Sequence, residues 1–243
     1  MTLASRVVIS TIRGLTRLLC QIDDAQLGRV PTCGPLILVT NHINFLDVPL
    51  LYTHLLPRPL AGLIKAETWD NPAMGWLFDV AGGAGAIPVR RGEADREALR
   101  RGLAALEKGH ILALAPEGTR SGHGRLQPGQ PGVVLLALHS GAPILPVVYY
   151  GGERFRQNVK RLRRTAFNII VGSPFYLETG GARVTREVRE RMAGEIMYQM
   201  AALLPPPYRG VYADLGAATE NYLRFPEASR SNLRRARSEA LPA

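Results

Sequence analysis

The sharpest chemical feature of the sequence is the run Asn41-His42-Ile43-Asn44-Phe45-Leu46-Asp47. An imidazole and a carboxylate at this spacing can act as a base and the acid that orients it, under one geometric condition. On a continuous helix a five-residue step turns about 500°, leaving the two side chains roughly 140° apart. They meet only if the chain turns between them, with His42 on a loop and Asp47 at a helix start. Asp47 then accepts from one ring nitrogen and fixes the tautomer, so that the other nitrogen serves as a base. The competing reading is an incidental loop histidine beside an ordinary capping aspartate.

Two further clusters fit an anionic substrate. Pro116-Glu117-Gly118-Thr119-Arg120 combines an acid, a glycine that lets backbone approach a ligand, a hydroxyl and a guanidinium suited to bidentate phosphate binding. A turn with a local salt bridge would use the same residues. Gly85-Ala86-Ile87-Pro88-Val89-Arg90-Arg91 delivers two adjacent arginines from a strand, and alternation sends one of them to the pocket side. Lys65 and Glu67 either join that rim or form an exposed pair. Other chemistries lack their residues. There is no G-x-S-x-G elbow, P-loop, H-E-x-x-H or C-x-x-C, so no metal site is expected.

Positioning these groups calls for alternating strands and helices. Short apolar runs at 36–40, 87–89, 111–115, 144–150 and 167–171 read as strands. Residues 48–56, 95–108, 132–140 and 186–204 read as helices, with Asp47 capping the first and Gly109 closing the second. The pattern predicts one α/β domain, a mixed and mostly parallel sheet covered by helices. His42 and Glu117 each follow a strand directly, where such sheets present functional loops.

Residues 1–22 read as an amphipathic helix preceding the domain. Val8, Ile12, Leu15, Leu19 and Ile22 share one stripe, and Arg6, Ser10, Arg13 and Arg17 the opposite one. The expected organisation is therefore a helix at 1–22, a domain at 23–207, and a partly flexible C-terminal extension at 208–243 that frays after Ser229.

The 243 residues carry 30 Lys and Arg, 27 of them Arg, against 20 Asp and Glu, for a net charge of +10. Such an excess implies an anionic partner: nucleic acid, a membrane surface or a phosphorylated substrate. Aromatic residues make up only 7% of the chain and no RNA- or DNA-binding signature occurs, which leaves an Arg-rich nucleic-acid-binding protein as a remote alternative. No apolar run approaches the roughly 18–20 residues needed to span a bilayer. Arginines spread through the N-terminal segment do not suit a cleavable leader, and two cysteines fit a reducing compartment.

Taken in order, these clusters resemble the glycerolipid acyltransferase family, the 1-acylglycerol-3-phosphate acyltransferases and their lysophospholipid-acylating relatives. The N-H-x-x-x-x-D block matches Asn41 to Asp47, and the arginine-ended second block matches Gly85 to Arg91. The F-P-E-G-T-R block matches Ala115 to Arg120, and an apolar block around a proline matches Ile144-Leu145-Pro146-Val147-Val148. All four fall within residues 41–148. Two departures stand out: Arg90 replaces the usual acid, and Ala115 the usual aromatic residue.

The resemblance implies transfer of a fatty-acyl group from acyl-CoA or acyl-carrier protein to the sn-2 hydroxyl of lysophosphatidate, giving phosphatidate. Glycerol 3-phosphate or another lysophospholipid are the alternative acceptors. His42 and Asp47 would be catalytic. Arg91 and Arg120, with Glu117, Gly118, Thr119 and Lys65, would hold the acceptor phosphate, and Ile144, Pro146 and Val147 would line an acyl pocket. No cofactor is implied. The N-terminal helix and the cations of Arg154–Arg164 would then contact anionic lipid, placing the protein peripherally on the cytoplasmic face of the cell membrane.

Overall fold

A computed structural model describes residues 2–72, 75–76, 79, 85–89, 96–181 and 183–240. Its centre is a seven-stranded sheet. In chain order the strands are β1 (Cys20–Asp23), β2 (Leu36–Val39), β3 (Leu60–Lys65), β4 (Ala86–Val89), β5 (Ile111–Leu114), β6 (Ile144–Tyr150) and β7 (Thr165–Val171). They lie side by side as β1-β7-β6-β2-β5-β3-β4. Five strands from β6 to β4 run parallel, and β7 turns antiparallel to β6 and carries β1 parallel to itself. The expected mixed, mostly parallel sheet is what forms.

Alternation along the strands divides the core in two. Ile37, Val39, Leu112, Leu114, Ile144 and Val148 face one layer, and Leu36, Leu38, Ile111, Leu145, Val147 and Tyr149 the other. The first layer is covered by α3 (Arg96–Glu107), α4 (Gly132–Ser140) and α6 (Arg186–Ala201). The second is covered by α2 (Asp47–Leu55), whose Leu50, Leu51 and Leu55 are buried there. Gly109 adopts φ 74° just past α3, a left-handed stop that a side chain would resist.

The N-terminal helix α1 spans Leu3–Leu19, with Thr2 accepting from the Ser5 N–H as its cap, and packs on α2. It ends earlier than its periodicity predicts. Cys20 to Asp23 become strand β1, because pairing with β7 satisfies their backbone and buries Cys20 completely. Ile22 continues the helical spacing from Leu15 and Leu19, so the apolar pattern alone cannot register this switch. The orientation also differs from the expected one. Ile9 and Thr16 are buried toward the body, with Ile12 partly so, while Leu3, Val7, Leu15 and Leu18 stand exposed. Among the described residues no helix is long and apolar enough to cross a membrane.

Among the described residues the C-terminal stretch is attached to the body through polar side chains. Glu195, buried on α6, accepts from the Thr219 hydroxyl and from the Asn221 and Tyr222 N–H groups. Strand β8 (Tyr176–Leu177) pairs with β9 (Leu223–Arg224), and α7 (Asn232–Ala240) begins on buried Ser231, Asn232 and Leu233. Gln199 of α6 accepts from the Asn232 N–H at 3.0 Å. Polar side chains on α6 make these attachments, which is why hydrophobic patterning misses them.

Candidate active site

Parallel strands point their C-terminal ends toward one edge of the sheet, and the chemistry-bearing loops gather there. β2 leads into Asn41 and His42, β5 into Pro116 to Arg120, β3 ends on Lys65, and β6 leads to Gly151 and Gly152. Asn41 anchors the first loop. Its amide donates to the Tyr149 carbonyl at 2.8 Å and accepts from the Tyr149 N–H at 2.9 Å, so a side chain extends the β2–β6 ladder.

The chain then turns, as the pairing of His42 with Asp47 requires. His42 Nδ1 lies 2.9 Å from Asp47 Oδ2, and the same oxygen accepts from the N–H groups of Ile43 at 2.5 Å and Asn44 at 2.8 Å. Asp47 is therefore not the expected helix cap. It is the first helical residue, preceded by Leu46 at the cap position, and its carboxylate reaches back into the loop. Asp47 is 1% exposed. Burial pushes its carboxyl above the ordinary carboxylate range, opposed by the hydrogen bonds from His42 and the two backbone N–H groups. Asp47 Oδ1 is buried.

On the opposite side of the ring, Arg120 Nε points to His42 Nε2 at 3.4 Å. A donor there requires Nε2 to be the acceptor nitrogen, which puts the ring proton on Nδ1 toward Asp47. The free base nitrogen thus sits beside an exposed guanidinium.

Glu117 departs from its expected place on the phosphate. It is 3% exposed, and both oxygens are occupied: Oε1 accepts from the His42 N–H at 2.9 Å and Oε2 from the Gln127 N–H at 3.0 Å. Both oxygens face backbone donors rather than the rim, so the side chain ties the two loops together. The Ser121 and Gly122 N–H groups complete the seam by donating to the His42 and Ile43 carbonyls at 2.7 and 2.9 Å. Gly118, at φ 68°, supplies the turn that leaves Thr119 and Arg120 exposed at the rim.

Burial raises the Glu117 carboxyl to about 7, and the nearby Asp47 charge adds to the effect. Because the folded chain holds this proton more tightly than the unfolded one, the stability it contributes is full below the unfolded value and declines as pH rises through 7. Replacing Glu117 with Gln removes the titration. Urea unfolding of both proteins at about pH 5 and about pH 8 should show the wild type losing about 2–3 kcal/mol relative to Glu117→Gln on the alkaline side. Parallel pH profiles would disprove the assignment.

The other expected residues separate. Lys65 ends β3 on the same edge but forms a half-exposed pair with Glu67 at 3.3 Å. Arg91 lies outside the described residues. Ile144 and Val147 do not line an acyl pocket: they point to opposite faces of the sheet, both with 0% exposure, and Pro146 is buried between them opposite Val39. An acyl chain would have to displace the core to touch them. Among the described residues no group of three His, Cys, Asp or Glu side chains gathers as a metal site.

Tyr149 is a residue that sequence reasoning passed over. Stacked on Phe167 at 5.1 Å, it is buried close enough to Asp47 and Glu117 for their charges to reinforce burial in holding its phenol well above the ordinary range. Only its place three residues beyond Pro146 hinted at this.

A base oriented by a buried acid and flanked by an arginine thus sits at the mouth of a mostly parallel sheet. The family model for Acyltransferase matches residues 21–150, and the chain belongs to this family. It is 27% identical to a chloroplast 1-acyl-sn-glycerol-3-phosphate acyltransferase of Brassica napus over 159 residues, covering 63% of this chain and 45% of the relative. It is 35% identical to the lyso-ornithine lipid O-acyltransferase of Pseudomonas aeruginosa over 114 residues, covering 46% of this chain and 42% of that protein. The chain spans about half the length of the curated relatives it matches. The crystal structure of the 1-acyl-sn-glycerophosphate acyltransferase from Thermotoga maritima shares the fold, with a TM-score of 0.55 at 20% identity, over 79% of this chain and 76% of that one.

Proposed function

We propose that the protein is a 1-acylglycerol-3-phosphate O-acyltransferase that moves a fatty-acyl group from acyl-CoA or acyl-carrier protein to the sn-2 hydroxyl of lysophosphatidate. The observation that carries this reading is the line Asp47–His42–Arg120, with contacts of 2.9 and 3.4 Å on the two sides of one imidazole. An alcohol is a weak nucleophile and needs a base. His42 Nε2 takes the hydroxyl proton as the oxygen attacks the thioester carbonyl, and Asp47 stabilises the imidazolium so formed. Collapse of the tetrahedral intermediate breaks the carbon–sulfur bond, and the imidazolium returns the proton to the departing thiolate. The products are phosphatidate and the free thiol, with no covalent acyl-enzyme.

Arg120, beside the base nitrogen, would hold the acceptor phosphate so that its neighbouring hydroxyl meets His42, assisted by Arg91. An insoluble acceptor also requires contact with a bilayer. The exposed ridge of α1, Leu3, Val7, Leu15 and Leu18, flanked by Arg6 and Arg17, suits a peripheral attachment to the cytoplasmic face of the cell membrane.

Kinetics with labelled acyl-CoA test the assignment. Arg120→Ala should raise the apparent KM for lysophosphatidate about 10–100-fold, the worth of one charged hydrogen-bonding partner, with a smaller change in kcat. An unchanged KM would remove Arg120 from the phosphate site. The 35% identity to a lyso-ornithine lipid O-acyltransferase supports a second reading, in which the acceptor head group carries no phosphate. Acylation of lyso-ornithine lipid in preference to lysophosphatidate, with no penalty from Arg120→Ala, would favour it.

A further inference from the structure

The turn after the short helix α5 (Phe155–Lys160) holds Leu162 in a conformation and a setting that the fold itself does not reward. Leu162 is 97% exposed and has φ 54°, a left-handed geometry that a bulky side chain resists. The segment Arg154–Arg164 carries six cations and no carboxylate. Val159 is exposed beside Leu162, and Arg156, Lys160, Arg161 and Arg163 are exposed around it. Among the described residues none of these four cations forms an ion pair. An apolar tip ringed by unpaired cations is complementary to a phase that offers hydrocarbon beneath a layer of negative charge.

The turn is also tied at both ends to parts that matter. Arg164 donates to the Arg17 and Cys20 carbonyls at 2.7 and 2.6 Å, where it closes the C-terminus of α1. At the other end, Phe155 meets Phe45 edge-on with ring centroids 5.7 Å apart, and the Asn44 amide donates to the Gly152 carbonyl at 2.8 Å. Phe45 and Asn44 belong to the loop between His42 and Asp47. The basic turn therefore bridges the end of α1 and the loop that carries the base.

We propose that residues 155–164 form a second membrane-docking point: Leu162 inserts among the head groups of an anionic bilayer, and Arg156, Lys160, Arg161 and Arg163 bind lipid phosphates. This rests on the membrane-borne acceptor proposed above and adds an orientation to it. Attachment through α1 alone leaves the body free to swing, whereas two points joined through Arg164 turn the His42 loop toward the bilayer. An acidic protein such as acyl-carrier protein would match the charges but gives no reason for a leucine that is 97% exposed.

Sedimentation of the full chain with vesicles of phosphatidylcholine, alone or mixed with phosphatidylglycerol, tests this without any acyl-transfer assay. Leu162→Gly places at this position the residue that accepts a positive φ, so its melting temperature should hold or rise. Its partition onto mixed vesicles should nevertheless fall about fivefold to tenfold, from the loss of one inserted apolar side chain. Replacing Arg156, Lys160, Arg161 and Arg163 together with Gln should cut binding to mixed vesicles about a hundredfold and leave binding to pure phosphatidylcholine unchanged. Undiminished partition of Leu162→Gly would overturn the insertion. Undiminished binding of the four-Gln variant to mixed vesicles would overturn the lipid-phosphate contacts.

Discussion

His42→Ala is expected to lower kcat for acyl transfer by about 10³–10⁴-fold, the upper range for loss of a positioned base. The size follows from what else could take its place. Asp47 is buried behind the ring with Oδ2 committed to three contacts, and Glu117 is held by two backbone N–H groups. Neither carboxylate reaches a substrate hydroxyl. Arg120 offers only N–H donors and no acceptor, so it cannot act as a base. The substitution should not unfold the chain, because the imidazole is partly exposed and the loop is fixed through the His42 backbone, which alanine keeps. Thiol release from acyl-CoA, read beside the circular dichroism and melting temperature of the same sample, separates the two effects. Activity within tenfold of wild type in a folded His42→Ala protein would rule out the mechanism.

How much of this could be read in the residues alone depended on whether a backbone pattern or a side-chain contact carried the information. The strands at 111–114 and 144–150 and the helix at 132–140 emerged because their apolar runs are bounded by Gly, Pro or Ser. The meeting of His42 and Asp47 was legible from their spacing once a turn between them was granted. The role of Asp47 within that turn was not: sequence marks it as a cap, and only the fold aims its oxygen at the Ile43 and Asn44 N–H groups. Glu117 misled for a similar reason. Its neighbours Gly118 to Arg120 face solvent, but as the residue nearest the strand end it turns inward to hold two backbone donors. Ile144 and Val147 are strand residues whose alternation sends them to opposite cores. Strand β3 stayed hidden because its residues, Leu60-Ala61-Gly62-Leu63-Ile64-Lys65, combine a central glycine with no clear alternation.

Two substitutions at Asp47 separate its charge from its geometry. His42 Nδ1 and the N–H groups of Ile43 and Asn44 all converge on one oxygen, Oδ2. In Asp47→Asn the amide oxygen must occupy that place, since an NH2 group there would face three donors. The ring proton thus stays on Nδ1, and His42 Nε2 remains the base. What disappears is the negative charge that supports the imidazolium during transfer. An expected loss of about 10²-fold in kcat, with KM for the acceptor little changed, measures that charge. Asp47→Ala removes the oxygen as well, leaving buried backbone N–H groups without an acceptor at about 1–3 kcal/mol each. The loop that presents His42 then loses its internal tie, so kcat should fall about 10³–10⁴-fold and the melting temperature should drop. The ordering is the decisive result. If Asn and Ala reduce kcat equally while only Ala lowers the melting temperature, the carboxylate acts through its charge and loop closure adds nothing to the rate. If Asn retains wild-type kcat, Asp47 serves as a loop fastener alone and the imidazolium needs no partner.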